Sequence, residues 1–191
     1  MEINYRKDLI NYFIKIFKYN SYLEIGVRDP AVTFDNIIIT NKEGIDPDGS
    51  TTHTMLSDDF FYNCDKDKMW DIILIDGSHE KTQVLRDISN CLNHLNTNGT
   101  LILHDVNPLT KDKLDDTICH NAWEAYAELR TQREDLEMFV LPINYLGVIR
   151  VGKQKLWTDT IQPTFEYLDK NRKELMNEIS LSQMFKIYGE L

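Results

Sequence analysis

The clearest pattern in the chain is a pair of short apolar runs, residues 71–75 and 99–103, each followed by polar side chains. Both runs lack polar alternation and are rich in β-branched residues, which is typical of strands covered on both faces of a sheet. Between them, apolar residues recur at helical spacing from Val84 to Leu95, and the helix is expected to end near Asn98 and Gly99. These lengths predict a right-handed βαβ unit with two parallel strands.

Further strands and helices follow from the same periodicities. Residues 5–17 predict an N-terminal helix, and residues 165–179 a terminal one. Three more strands are predicted at residues 22–27, 42–46 and, weakly, 53–56, with a helix containing Phe34, Ile37 and Ile38 before the second. Residues 136–141 and 145–151 are joined by a link too short for a crossover helix, so they predict an antiparallel pair. The expected fold is α/β: a doubly wound, mostly parallel, seven-stranded sheet with an antiparallel C-terminal hairpin.

Length and charge narrow the class of protein. The 191 residues predict one domain, with an N-terminal helix over 1–20, a core over 21–151, and a linker and helix over 152–191. The net charge of −10 disfavours nucleic acid as a partner. Without a signal pattern or a run long enough to span a membrane, the chain is expected to be cytoplasmic and not membrane-bound. Apolar faces on the terminal helices would permit a homodimer.

Candidate chemistry lies where the two apolar runs end. Asp76 and His79 follow the first run, and His104 and Asp105 follow the second. Because the carboxyl ends of parallel strands lie side by side, these four side chains are expected to meet at one sheet edge. A carboxylate there can bind a divalent cation, and an imidazole can abstract a proton. Asp76 could instead cap the helix that follows.

A second candidate site lies at the ends of the first two strands. Glu24 and Gly26 end the first strand and Asp46 closes the second, the arrangement that holds a nucleoside-containing cofactor. The carboxylate would accept hydrogen bonds from both ribose hydroxyls. A dinucleotide is disfavoured, since residues 24–31 carry one glycine where the G-x-G-x-x-G signature needs three. An ordinary strand-ending turn is the alternative for Glu24 and Gly26.

Five segments in this order resemble small class I S-adenosylmethionine (SAM)-dependent methyltransferases: residues 22–27, 44–47, 57–61, 75–79 and 104–108. The resemblance is greatest to the branch of sugar and macrolide-glycoside O-methyltransferases, which is associated with polysaccharide biosynthesis. It implies a Rossmann-like methyltransferase fold with SAM as cofactor. It also implies the positions of four cofactor-binding residues: Glu24 and Gly26 beside the methionine and ribose, Asp46 on the ribose hydroxyls, and Asp58 near the adenine.

The same resemblance implies catalytic roles. Asp76 and the acidic pair that matches His104 and Asp105 would hold Mg²⁺ or another divalent metal, and His79 would act as general base. In this chain the first member of that pair is a histidine. The expected function is O-methylation of a sugar hydroxyl on a small-molecule or glycan acceptor. Two alternatives stay open: metal-independent O- or N-methylation, and a non-catalytic protein that binds cofactor or glycan.

Overall fold

The computed structural model describes residues 2–49, 51–115 and 117–190. Over these residues the chain forms one mixed sheet flanked by helices. The strands are β1 (Ser21–Ile25), β2 (Asn41–Ile45), β3 (Trp70–Ile75), β4 (Leu95–Leu103), β5 (Leu136–Val140) and β6 (Gly147–Val151). The helices are α1 (Arg6–Phe17), α2 (Ser57–Asn63), α3 (Lys81–Asn93), α4 (Ala122–Gln132), α5 (Phe165–Leu175) and α6 (Leu181–Tyr188).

The strand order in the sheet is β2-β1-β3-β4-β6-β5. The strands β2, β1, β3 and β4 run parallel to one another, and β6 runs antiparallel to both β4 and β5. Apolar side chains cover both faces: Leu23 and Ile73 belong to one core cluster, Tyr22 and Ile72 to the other. The predicted α/β fold, its parallel βαβ unit and its antiparallel hairpin are therefore confirmed, and the absence of polar alternation in the strands reflects burial on both sides.

The prediction of seven strands was wrong, because the described part of the sheet has six. The weak strand predicted at residues 53–56 is reduced to a single bridge between His53 and Ile45. The His53 N–H donates to Gly44, and its carbonyl accepts from Asp46. Ladder pairing goes no further, since the helix α2 begins at Ser57 and Leu56 turns outward with 58% of its surface exposed.

Three helix predictions also need correction. The helix expected around Phe34 is a single 3-10 turn, Phe34–Asn36, and the Ile38 N–H donates instead to the Asn11 side chain. The helix α3 ends at Asn93, so Leu95 belongs to β4 and pairs with Trp70. The terminal helix predicted over residues 165–179 ends at Leu175, and a further helix, α6, begins at Leu181.

The N-terminal helix packs against one face of the sheet. Tyr12 and Phe13 are fully buried there, and Leu9 and Ile10 join the same cluster. This packing fixes the first turn of α1, which carries Arg6, near the carboxyl ends of the strands. No helix in the described segments is long and apolar enough to cross a membrane.

Candidate functional site

A cavity of about 1020 Å³ opens at the carboxyl ends of the parallel strands. Seven of the eight predicted site residues line it: Gly26, Asp46, Asp58, Asp76, His79, His104 and Asp105. Ligand pockets of about 300 to 1,000 Å³ hold most small molecules and cofactors, so this cavity has room for a nucleoside cofactor together with part of an acceptor.

Glu24 does not line the cavity. Its side chain lies on the sheet face that α1 covers, is 1% exposed, and accepts a 2.6 Å hydrogen bond from the Tyr22 hydroxyl. Burial is the main reason that the pKa of Glu24 rises from its usual 4.5 to about 7. In this structure Glu24 is a buried, hydrogen-bonded carboxyl group and makes no wall of the cavity.

Glu24→Gln is expected to stabilise the protein, and more at pH 8 than at pH 5. The folded protein holds the Glu24 proton more tightly than the unfolded chain does, so the free energy of unfolding falls as pH rises from about 4.5 to about 7. Glutamine keeps an oxygen for the Tyr22 hydroxyl and has no charge to bury. The gain above pH 7 can reach about 3 kcal/mol, as a shift of this size implies. Urea unfolding of both proteins at pH 5 and pH 8 measures it; an equal difference at the two pH values would contradict the assignment.

Gly26 brings the ends of β1 and β3 into close contact. Its φ is +85°, and a Cβ placed there would lie 2.1 Å from the Asp76 carbonyl oxygen. The Asp76 N–H donates to the Ile25 carbonyl at 2.9 Å, so the two strand ends are hydrogen-bonded at this point. The sequence led us to expect a glycine that lets backbone approach a ligand. The structure shows that glycine is needed here because the neighbouring strand is so close.

Asp46 has a fixed orientation at the end of β2. One carboxylate oxygen accepts the Arg28 N–H and the other accepts the Asp48 N–H, each at 2.8 Å. The side chain is buried, with 7% of the residue exposed. Each oxygen keeps a lone pair that can accept a hydroxyl, as binding of a ribose diol requires.

Asp58 lies in the first turn of α2 and forms part of the cavity rim. Gln83 donates to its carboxylate at 3.2 Å, and Arg86 lies 3.4 Å from the other oxygen. Behind it, Asp87 is buried and accepts hydrogen bonds from Ser57 and Gln83. Sequence reasoning missed Gln83 and Asp87, since their spacing on α3 is that of an ordinary polar helix face.

Asp76, His79, His104 and Asp105 meet at the other end of the cavity. His104 Nδ1 lies 3.0 Å from Asp76 Oδ1 and 2.9 Å from Asp105 Oδ2. His79 Nε2 lies 3.3 Å from Asp105 Oδ2 and 3.8 Å from Asp76 Oδ1. The expected meeting of these residues at one sheet edge is thus observed.

Two opposing effects set the pKa values in this cluster: burial disfavours the charged form of each group, and nearby groups of opposite charge favour it. Burial raises the pKa of Asp76, but the hydrogen bond from His104 and the nearby imidazole of His79 outweigh it and hold that pKa well below its usual range. Burial lowers the pKa of both histidines, and the two carboxylates reverse the effect. The pKa of His104 rises to about 9, and that of His79 also rises.

Arg6 completes the cluster, although sequence reasoning did not find it. Its Nη2 lies 3.1 Å from Asp76 Oδ2, and its Nη1 lies 3.4 Å from His104 Nε2. It is separated from Asp76 by 70 positions and lies on an apolar helix, so no local motif marks it. Asp105 is held with φ +59°, a conformation that is costly for a residue with a side chain and that aims its carboxylate into the cluster.

Side chains that could ligate a divalent cation are present, but their oxygen atoms already contact other residues of the chain. Atoms of Asp76, His79 and Asp105 lie within 4.8 Å of one another, as ligands of one ion would. His104, the third expected ligand, is not part of that group. Its Nδ1 instead contacts the carboxylate oxygens that a cation would need, and Arg6 pairs with the remaining oxygen of Asp76. As arranged, these residues do not fit a resident metal ion.

Residues 34–106 match the model of a methyltransferase domain. Among curated protein sequences, none matches the chain.

Several solved structures share the fold at low sequence identity. The O-methyltransferase TomG from Streptomyces achromogenes, in complex with SAM, has a TM-score of 0.57 and 11% identity over 76% of this chain and 79% of its own. An O-methyltransferase from Bacillus cereus, in complex with SAH, has a TM-score of 0.56 and 13% identity over 75% and 78%. The MycE methyltransferase, with Mg, SAH and mycinamycin VI, has a TM-score of 0.51 and 13% identity over 77% and 48%.

These neighbours share the α/β Rossmann-like methyltransferase fold, and those named here bind SAM or SAH. The matched domain spans the second strand, the α2 region and the βαβ unit that carries the cluster of Asp76 and Asp105. The matched methyltransferase domain and the shared fold together support a SAM-dependent methyltransferase.

Proposed function

We propose that this chain transfers the methyl group of SAM to a hydroxyl group of a sugar, on a small-molecule or glycan acceptor. One observation carries the proposal. Asp46 and His79 line the same cavity. The carboxylate of Asp46 is held in an orientation that suits a ribose, and the imidazole of His79 lies beside two carboxylates. The first suits a nucleoside cofactor, and the second suits proton removal from an acceptor.

The charge of the cavity supports SAM as the cofactor. Seven aspartates and two arginines line it. An excess of carboxylates attracts the cationic sulfonium of SAM and repels the phosphates of a dinucleotide. The cofactors of the structural neighbours named above agree with this choice.

The arrangement of His79 supports transfer to oxygen. A hydroxyl group is a weak nucleophile unless a base removes its proton, and the imidazole of His79 lines the cavity with its Nε2 beside Asp105. Asp105 and Asp76 fix the ring and would stabilise the imidazolium that forms. When bound, SAM would supply an electrophilic methyl group for direct displacement. The protein then needs only to position the acceptor and take its proton, without a covalent intermediate.

The sugar hydroxyl and the role in polysaccharide biosynthesis rest on the resemblance of the sequence motifs to sugar and macrolide-glycoside O-methyltransferases. The MycE methyltransferase, which shares this fold, is from the mycinamycin biosynthetic pathway, and its complex contains mycinamycin VI together with SAH. Incubation with methyl-labelled SAM and a panel of methyl glycosides tests the acceptor class. Labelled methyl ethers support it; transfer to amines alone would overturn it.

Asp46→Asn is expected to weaken SAH binding about 10- to 100-fold, because a hydrogen bond to a charged group contributes about 1.5 to 3 kcal/mol. Both oxygens of Asp46 accept backbone N–H groups, so an amide must aim its own N–H at one of these donors. Calorimetric titration with SAH measures the change. The control is Asp59→Asn, at an exposed residue of α2 outside the cavity lining, which should bind as the wild type does. Undiminished binding by Asp46→Asn, or no binding by the wild type at millimolar SAH, would overturn the cofactor site.

A further inference from the structure

Arg6 reaches the candidate site from outside the sheet and is fixed by several partners. Its backbone N–H donates to the Asn144 side chain at 3.1 Å, and its Nε donates to Thr33 Oγ1 at 2.8 Å. The two terminal nitrogens of the guanidinium then contact Asp76 and His104. A side chain held at its base, middle and tip has little freedom to leave when another cation approaches.

The contacts of His104 place a proton on Nδ1 in either charge state of the ring. A guanidinium group only donates hydrogen bonds, so Arg6 Nη1 can bond to His104 Nε2 only if that nitrogen offers a lone pair. The proton of a neutral His104 ring is then on Nδ1. This is the nitrogen that lies 3.0 Å from Asp76 Oδ1 and 2.9 Å from Asp105 Oδ2, so it donates to the carboxylates. A doubly protonated ring also carries a proton on Nδ1.

A protonated Nδ1 cannot ligate a metal ion, since a ligand must present a lone pair. A divalent cation that used Asp76 and Asp105 would have to displace this N–H from both oxygens. It would also lie close to the positive charge of Arg6, which is paired with the second oxygen of Asp76. The two carboxylates are therefore neutralised by groups of the chain itself.

We propose that Arg6 and His104 take the place of a divalent cation between Asp76 and Asp105, so that this site works without a resident metal ion. Both act as positioning residues: they hold the carboxylates that orient His79. The N-terminal helix thereby becomes part of the active site. The inference rests on the proposed function for what the site does, but its tests need no turnover.

The first test measures metal binding with Mn²⁺ alone. Wild-type protein is expected to show no saturable Mn²⁺ binding up to millimolar concentration in calorimetric titration. The double variant Arg6→Ala, His104→Asp removes both internal donors and adds a carboxylate, and it should bind Mn²⁺ at least tenfold more tightly than the wild type. Wild-type binding in the micromolar range that Asp105→Asn abolishes would overturn the proposal, as would a folded double variant that binds no Mn²⁺.

The second test observes the His104 ring in the wild-type protein and so does not depend on whether a variant folds. Long-range ¹H–¹⁵N spectra distinguish a protonated from an unprotonated imidazole nitrogen. Nδ1 of His104 is expected to carry a proton, and Arg6→Gln should change the Nε2 signal while Lys15→Gln, at an exposed residue of the same helix, should not. An unprotonated Nδ1 in the wild type would overturn the proposal. SAH titration of the same samples reports separately on the proposed function.

Discussion

With His79 replaced by glutamine, methyl transfer from SAM to a hydroxyl acceptor is expected to fall about 10²- to 10⁴-fold, the usual contribution of a positioned general base. His79 lines the cavity, and Asp105 Oδ2 lies 3.3 Å from its Nε2. Glutamine can still form a hydrogen bond to Asp105 but cannot accept the proton of an acceptor. SAH affinity should stay almost unchanged, because the residues assigned to the ribose and adenine are untouched.

The rate of SAH formation from methyl-labelled SAM and a glycoside acceptor measures this effect. Burial lowers the pKa of His79, but the neighbouring carboxylates of Asp76 and Asp105 raise it by more than burial lowers it. The wild-type rate should therefore increase with pH through neutrality. The variant should lose that pH dependence together with the rate. A matched control is His53→Gln, which alters a histidine paired with Glu43 outside the cavity lining and should keep the wild-type rate. A His79→Gln protein with full activity would exclude His79 as the base.

The sheet was largely predictable because strands that are buried on both faces consist of consecutive apolar residues. Residues 71–75 and 99–103 lack polar alternation for that reason, and they do lie in β3 and β4. Leu95 was misassigned to the preceding helix, since it falls four positions after Cys91. Its place in a strand depends on pairing with Trp70, a contact 25 positions away that periodicity does not report.

The candidate site was predictable where it follows strand ends. Topology alone brings Asp76 and His79 beside His104 and Asp105, because parallel neighbouring strands finish at the same edge. Arg6 was not predictable, since its position depends on how α1 packs across the other sheet face. Without Arg6, the sequence left open whether His104 is a metal ligand or a hydrogen-bond donor.

Gly26→Ala is expected to lower the free energy of unfolding by about 2 to 5 kcal/mol, through two separate costs. An alanine at φ +85° pays about 1 to 2 kcal/mol for a left-handed backbone conformation. Its Cβ would also lie 2.1 Å from the Asp76 carbonyl oxygen and 2.7 Å from Gly77 Cα, so β1 and β3 must separate. Overpacking of this kind costs about 1 to 3 kcal/mol. The separation would shift Asp76 away from His104, and any folded variant should bind SAH less tightly.

Gly189→Ala separates the two costs. Gly189 also has a positive φ, +103°, but the nearest atom to an added Cβ is Ile16 Cδ1 at 3.8 Å, an ordinary contact. This variant therefore tests the backbone conformation alone. With φ +103° and ψ 159° that conformation is open almost only to glycine, and the loss of stability should be about 1 to 3 kcal/mol. Urea unfolding of the wild type and both variants measures the two differences. If Gly26→Ala lowers the free energy of unfolding by no more than Gly189→Ala does, the close contact between β1 and β3 is not the reason that glycine is needed at residue 26. The position of Asp76 would then depend on some other restraint.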